Sequence, residues 1–279
     1  MRLFVANTFG DNVTIYPSGA TGNVPPVATL STGIISPQSV TVDNTGKSYV
    51  INGGTPPSVS VYAAGATGPA AQLFTISGSN TKLDFPIGSA VDSGGRILVT
   101  NISSSSTISD SVLIFSAATR GNMAPVAMIG GGDPNTNKTQ LIFPFDVALD
   151  GTQRIYVANQ GNNNVLIFAA TANGNVAPVA AIGGGNTKIA APTALNFDVS
   201  GLLYVANNAA GANPASVTVY AAGVTGNVAP IRTLAGAIQL SASRSGLRST
   251  STSAFTWRTP PLLTGSWFLP REQTATPRR

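Results

Sequence analysis

Residues 2–240 repeat four short segments in a fixed order, and few folds accommodate such a pattern. The most recognisable segment ends in asparagine five times, about 45 to 58 residues apart: LFVAN at Asn7, SYVIN at Asn52, ILVTN at Asn101, IYVAN at Asn159 and LYVAN at Asn207. A sequence period of this size is typical of arrays in which one small structural unit stacks against the next.

The other three segments are also strand-like. An alternating run such as SVTVY ends at Tyr220, and a glycine turn, usually GNxxP, separates it from a third run such as VAMI, which ends at Ile129. A proline-started run ending in aspartate completes the unit, at Asp43, Asp92, Asp150 and Asp198. Val, Ile, Tyr and Phe between Gly, Asn, Asp and Pro are strand and turn residues. We therefore predict an all-β fold, a β-propeller of four-stranded antiparallel blades with almost no helix.

The order of the segments resembles the NHL-type and YVTN-type β-propeller repeats. The resemblance covers residues 2 to about 240 and implies that the proline-started run is the innermost strand of a blade. It also implies that the asparagine-ended run is second, the alternating run third and the run after GNxxP outermost. NHL-type rings usually close with six blades, whereas this chain has about five readable ones. The family is often secreted or extracytoplasmic, although MRLFVAN has no signal-peptide pattern.

The end of the chain departs from the repeat, so we divide the sequence into NHL-like propeller repeats at 1–240 and an irregular tail at 241–279. The formal charge of +5 belongs to the tail, because six arginines and one glutamate follow Ala237, while nine basic residues balance nine aspartates before it. A neutral body does not favour nucleic-acid binding. No run approaches the roughly 20 apolar residues of a membrane helix, so we expect no membrane partner.

A shifted reading frame accounts for the composition of the tail. Read from the third base of each codon, the segment around Trp257 permits IYVAN, with AVD before it at the spacing of the repeats. The segment from Trp267 permits VFAAGANGNAAP, which has the length of VYAAGVTGNVAP at 219–230. The hypothesis is a small insertion or deletion near Ser243, which makes this chain a truncated copy. The alternative is a genuine basic tail.

The composition excludes the catalytic and metal sites that depend on cysteine or histidine. The chain has no cysteine and no histidine, and its one glutamate, Glu272, lies in the tail. The repeated aspartates and asparagines are predicted to bind turn amides at strand ends. The repeated aromatic residues are predicted to pack between blades: Tyr16, Tyr62, Phe115, Phe168 and Tyr220. Among the aspartates outside the repeat pattern, the candidates for a general base are Asp11, Asp110 and Asp146.

One loop has the spacing of a calcium site. Asp133, Asn135 and Asn137 follow the one-three-five pattern, but Lys138 replaces the glycine and no acid follows at the twelfth position. The glycine runs at Gly130 and Gly183 are interpreted as loops between blades rather than phosphate cradles, because neither precedes a predicted helix. We therefore predict no catalytic, cofactor-binding or metal-binding residue and no cofactor.

The sequence favours a non-catalytic propeller that acts as a binding or scaffold module for an unknown protein or carbohydrate ligand. Two alternatives stay open. One is a hydrolase or lyase of the propeller type, resembling gluconolactonases but using aspartates, which an acidic cluster at one end of the channel would favour. The other is a truncated reading frame without function.

Overall fold

The computed structural model describes residues 2–105, 109–208 and 214–235. The predicted tail at 241–279, and with it the frame hypothesis, lies outside these residues. Within them the chain forms five antiparallel sheets arranged as the blades of a propeller, each made from strands consecutive in sequence. Apart from strands, the described regular elements are 3₁₀ turns of three residues, so the all-β prediction is confirmed. Among the same residues, no helix is long and apolar enough to cross a membrane.

The strand bounds follow the predicted segments closely. Blade 1 contains β1 (Arg2–Asn7), β2 (Asn12–Pro17) and β3 (Ala28–Leu30). Blade 2 contains β4 (Pro37–Val42), β5 (Ser48–Asn52), β6 (Ser58–Tyr62) and β7 (Phe74–Ser77). Blade 3 contains β8 (Phe85–Val91), β9 (Ile97–Ile102), β10 (Ser111–Phe115) and β11 (Ala127–Gly130). Blade 4 contains β12 (Pro144–Leu149), β13 (Ile155–Asn159), β14 (Asn164–Phe168) and β15 (Ala180–Gly183). Blade 5 contains β16 (Pro192–Phe197), β17 (Leu203–Asn207), β18 (Ser216–Tyr220) and β19 (Arg232–Ala235).

Blade 1 differs from the prediction because it has three strands, whereas the other four blades have four. The chain enters blade 1 at its second strand, β1, so this sheet has no innermost strand among the described residues. A sixth blade is likewise not seen in the described part of the chain, which shows five sheets.

The inner strands β4, β8, β12 and β16 each begin at or next to a proline and contain an irregularity directly after it. The pairing with the second strand shifts register between Pro37 and Ser39 in blade 2, and similar shifts occur in blades 3, 4 and 5. Proline cannot donate to the strand ladder, so it fits best at a strand start beside such a bulge.

Neighbouring blades are joined by the same contact at their outer rims. An isolated parallel bridge links the outer strand of one blade to the turn glycine of the next, at Leu30–Gly68, Ile76–Gly121, Ile129–Gly174 and Ile182–Gly226. The asparagine after three of these glycines accepts a backbone N–H from the preceding blade: Asn122 from Asn80, Asn175 from Lys138 and Asn227 from Asn186. The GNxxP turn is therefore part of the joint between blades.

The hydrophobic core lies between the blades. Each bridged outer-strand residue is fully buried, as are the aromatic residues that end the third strands of blades 2 to 5: Tyr62, Phe115, Phe168 and Tyr220. The hydroxyl groups of Tyr62 and Tyr220 donate to carbonyl oxygens of the preceding blade, at Thr32 and Thr187. The prediction that the repeated aromatic residues pack between blades is confirmed for these four but not for Tyr16 in blade 1, which is only partly buried.

The two end blades each have one open face. Leu234 on β19 is 52% exposed, although its counterparts in the other four blades are buried to 1% or less. On blade 1, Tyr16 and Val5 are partly exposed, whereas their counterparts in blades 2 to 5 are fully buried. No bridge joins blade 5 to blade 1 among the described residues. The burial of a blade therefore depends on its having a neighbour on both sides.

Candidate functional site

The repeated aspartates at the ends of the inner strands organise the turn to the second strand. The Asp150 Oδ1 accepts the backbone N–H groups of Thr152 and Arg154, both at 2.9 Å, and its Oδ2 accepts Arg154 Nε at 2.7 Å. Asp92 forms the same pair with Arg96, at 2.5 Å. In blades 2 and 5 the outer carboxylate oxygen instead accepts a tyrosine hydroxyl, from Tyr49 to Asp43 and from Tyr204 to Asp198. The prediction that these aspartates bind turn amides is confirmed.

These contacts shift the titration of the groups involved. Burial acts to raise the pKa of Asp43 and of Asp150, but the hydrogen bonds that each carboxylate accepts outweigh it and hold both values below their usual range. Burial, together with the adjacent Asp43 carboxylate, raises the pKa of Tyr49 to about 12. Both carboxylates are thus stabilised as anions by the turn, which is a structural role.

The off-pattern aspartates Asp11 and Asp110 connect one blade to the next. Asp11 Oδ1 accepts the backbone N–H of Ser36 at 2.6 Å, and Asp110 Oδ2 accepts that of Phe143 at 2.7 Å. In both cases the donor is the residue immediately before the proline that starts an inner strand. Burial raises the pKa of Asp110, against the hydrogen bonds from the Ser103 and Phe143 amides. These two candidates for a general base therefore have a structural role at the blade joints.

The third off-pattern aspartate, Asp146, lies in the wall of the central channel. It is on β12, is 2% exposed, and its Oδ2 accepts the backbone N–H of Leu195 on β16 at 2.9 Å. Other polar side chains also link the inner strands, since Thr41 on β4 donates to the carbonyl oxygen of Ser89 on β8 at 2.9 Å. Among the described residues, Gln38 Oε1 is the buried side-chain oxygen without a donor.

The asparagines that end the second strands hold the loops leading to the inner strands. In blades 2 to 5 the asparagine Oδ1 accepts the backbone N–H two residues before the inner-strand proline: Ile35, Asp84, Ile142 and Ala190. In blades 2, 4 and 5 the side-chain amide also donates to the third strand, as in the bond from Asn159 Nδ2 to Asn164 Oδ1 at 2.8 Å. The asparagines thus bind loop amides, as predicted from the repeat.

A cavity of about 190 Å³ opens at the end of the channel where the inner strands end. Every blade contributes to its wall, which is formed by Arg2, Phe4, Val40, Thr41, Val42, Ala90, Val91, Ala148, Leu149, Asn196 and Phe197. Most of the lining residues are aliphatic or aromatic, but the exposed surface of the cavity is mixed, and its polar side chains are Arg2, Thr41 and Asn196. The wall contains no carboxylate, so the acidic cluster that would favour a hydrolase or lyase is not found at this cavity.

The described residues contain no group of three or more His, Cys, Asp or Glu side chains that could hold a metal ion. In the loop with calcium-like spacing, Asp133 Oδ1 accepts the N–H of Asn135, and Asn137 Oδ1 accepts that of Thr139. The glycine runs lead into 3₁₀ turns of three residues at Pro134–Thr136 and Gly185–Thr187, on the connections between blades. In the calcium-like loop, the side-chain oxygens of Asp133 and Asn137 therefore accept amides of their own turn. The glycine runs belong to the connections between blades, as predicted.

The comparisons with known proteins support the fold alone. The chain is similar to a solved structure of a protein of unknown function from Bacteroides caccae, with a TM-score of 0.54 and 12% sequence identity. The similarity covers 86% of this chain and 76% of that one. No family model and no curated protein matches the sequence. The resemblance to NHL-type and YVTN-type repeats stays a prediction.

Two features of the site were not predicted from the sequence. The role of Asp11 and Asp110 at the blade joints was missed, although Asn163 marks the same repeat position and makes the same contact, to Ala191 N at 2.7 Å. The cavity was missed because its wall takes two or three residues from each blade, at positions where the repeat carries ordinary core residues. Aligning the units on their asparagines would have revealed the first feature but not the second.

Proposed function

We propose that the protein is a non-catalytic binding or scaffold module of the NHL-type repeat class. The observation that carries the proposal is that the cavity at the channel end has a wall of mixed polarity, with three polar side chains and no carboxylate. Such a wall suits the binding of a small ligand or a projecting group of a larger one. The hydrogen bonds of six aspartates also support a non-catalytic role, because each carboxylate accepts one or more backbone amides at a turn or at a blade joint. These residues are Asp11, Asp43, Asp92, Asp110, Asp150 and Asp198.

A cavity-filling substitution tests the proposal. Purified protein is titrated with a panel of monosaccharides, disaccharides and short peptides, and binding is followed by calorimetry. Val91 borders the cavity, so Val91→Trp should abolish the heat of any ligand bound there. Val179 is 62% exposed on the approach to the outer strand of blade 4, so Val179→Trp should leave that heat unchanged. No binding, or equal binding to the Val91→Trp variant, contradicts a ligand in this cavity.

The same material tests the catalytic alternative. Asp146 is the buried carboxylate of the channel wall, so an aspartate-dependent hydrolase would rely on it. We expect no hydrolysis of δ-gluconolactone or p-nitrophenyl esters above the buffer rate. Turnover by the unmodified protein that is lost in a folded Asp146→Asn variant would show that the protein is an enzyme.

A further inference from the structure

Arg2 is the one charged side chain among the described residues that line the cavity at the channel end. It lies on β1 and is exposed. A guanidinium group stays protonated at physiological pH, and its N–H donors form a planar fork that matches the geometry of a carboxylate. The described wall therefore carries a fixed positive charge and no negative charge to balance it.

Two arginines at the same repeat position show which partner such a side chain takes in other blades. Arg96 and Arg154 each lie five residues before the asparagine that ends a second strand, as Arg2 does. Their Nε atoms donate to Asp92 and Asp150, at 2.5 and 2.7 Å. Those are the two ion pairs seen in the described part of the chain, and Arg2 belongs to neither. Its guanidinium group is therefore available to an anion in the cavity.

The carboxylates closest in sequence to the cavity wall are directed into turns. Four aspartates directly follow lining residues along the inner strands, yet none of them borders the cavity: Asp43, Asp92, Asp150 and Asp198. One oxygen of each accepts backbone amides of its own turn. The other oxygen accepts an arginine Nε or a tyrosine hydroxyl. An anionic group in the cavity therefore meets no carboxylate oxygen of the described wall.

Asn196 on β16 supplies a second N–H donor to the cavity. Within the described residues, no hydrogen bond holds its side-chain amide, although this amide borders the cavity. By contrast, the hydroxyl group of Thr41 in the same wall donates to the carbonyl oxygen of Ser89 at 2.9 Å. Ala90 and Ala148 stand at the position of Asn196 in blades 3 and 4, so the inner strand does not need an asparagine there. Arg2 and Asn196 thus provide donors from blades 1 and 5.

The size of the cavity and the rest of its wall favour a small ligand with an apolar body. The volume is about 190 Å³, and a cavity of about 150 Å³ accommodates a benzene-sized molecule. Phe4, Val91 and Phe197 present apolar surface to this space. The ring of Tyr156 packs edge to face against that of Phe197, with the centroids 4.9 Å apart, which fixes this part of the wall. One ring or a short alkyl chain with a small head group matches the volume.

We propose that the cavity binds small organic anions in which a carboxylate is joined to an apolar body the size of a single ring. The carboxylate lies at Arg2 and Asn196, and the body lies against Phe4, Val91 and Phe197. Arginine binds a carboxylate through two parallel charge-assisted hydrogen bonds, which are stronger than those between neutral groups. The inference rests on the proposed binding role, because it names the ligand class for the same cavity.

The test compares three probes of similar shape by ligand-detected NMR titration of the full chain. Phenylacetate should bind at least about tenfold more tightly than its neutral amide, phenylacetamide, and more tightly still than the cation phenethylamine. In the Arg2→Gln variant the affinities for phenylacetate and phenylacetamide should lie within about twofold of each other, with that for phenylacetamide unchanged. Asn196→Leu should weaken phenylacetate binding about twofold to fivefold.

Lys47→Gln is the matched control for the loss of a positive charge. Lys47 occupies the repeat position of Arg2 on blade 2 but does not line the cavity, so this variant should keep the preference for phenylacetate. No binding of phenylacetate, or a preference that survives in Arg2→Gln, overturns the inference. An equal loss of preference in Arg2→Gln and Lys47→Gln also overturns it, because the effect would then come from the net charge of the protein.

The Val91→Trp variant separates this inference from the proposed function. If phenylacetamide binds as tightly as phenylacetate and both are lost in Val91→Trp, the cavity still binds a ligand, but the inferred anion preference is wrong. Phenylacetate binding that is unchanged in Val91→Trp places the anion outside the cavity and overturns the inference. N-acetylglycylphenylalanine carries the same carboxylate and ring at a peptide terminus. Tighter binding of this probe assigns the anion to a peptide, and weaker binding assigns it to a free small acid.

Discussion

Asp11 and Asn163 occupy the same position of the repeat and make the same contact, one through a carboxylate oxygen and the other through an amide oxygen. Each has a left-handed backbone, with φ of 48° and 51°, and each accepts the amide before an inner-strand proline. Short polar side chains tolerate this backbone region better than other residues do. Asp110 makes the same contact without a left-handed backbone. The joint between blades therefore needs an oxygen acceptor at this position, and it does not need a charge.

Substitutions at Asp11 test this interpretation. Asp11→Asn keeps the acceptor and the favoured backbone, so the urea midpoint should be unchanged. Asp11→Ala loses the hydrogen bond to Ser36 and places alanine in the left-handed region, which should lower the free energy of unfolding by about 1–2 kcal/mol. Equal losses in both variants would show that the negative charge itself holds the joint.

Which residues were predictable depends on how far away their partners lie. The contact from Asp150 to Thr152 and Arg154 spans two to four residues, so turn chemistry in the sequence indicated it. The contacts of Asp11 and Asp110 reach 25 and 33 residues ahead, into the next blade. The sequence marked both residues as unusual but could not supply their partners, because those depend on how neighbouring blades are placed.

At the scale of elements, the outer strands show how much a blade depends on its neighbour. β15 and β19 occupy the same place in consecutive blades, but Ile182 on β15 is bridged to Gly226 and fully buried, while Leu234 on β19 is half exposed. The strand segments were predicted well, since alternation and turn residues define them locally. The three-stranded sheet was not predicted, although the start of the chain within a second strand pointed to it.

Matched truncations on these two strands should differ in cost. Ile182→Ala removes a fully buried side chain and should destabilise by about 2–5 kcal/mol. Leu234→Ala removes a side chain that already contacts water, so the loss should stay below about 1 kcal/mol. Urea unfolding followed by far-UV circular dichroism measures the free energy of unfolding of both variants. Similar losses would indicate that something covers β19 in solution.

At the scale of the whole molecule, stability should depend on the carboxylates of the inner-strand turns. The lowered pKa values of Asp43 and Asp150 mean that their ionised forms favour the folded state. This contribution is present above the ordinary aspartate pKa of 3.8 and is lost as the pH falls through the lower folded values. Asp110, whose pKa is raised, acts in the opposite direction because protonation relieves its buried charge.

Thermal melts between pH 7 and pH 2.5 test this balance. We expect a melting temperature that falls steeply once the pH drops below about 4, the region in which ordinary aspartates protonate. The double variant Asp43→Asn/Asp150→Asn should start lower at neutral pH and fall less on acidification. If the melting temperature of the double variant fell as steeply with decreasing pH as that of the unmodified protein, the loss of stability in acid would come from other groups.

The uniform rim joint has a genetic consequence. The outer strand of each of the first four blades meets a glycine of the next through the same bridge, whichever two blades are involved. Duplicating or deleting one whole unit in the gene therefore leaves every new pair of neighbours with a compatible joint. Unequal recombination between units can then change the number of blades in a single step, without compensating substitutions elsewhere.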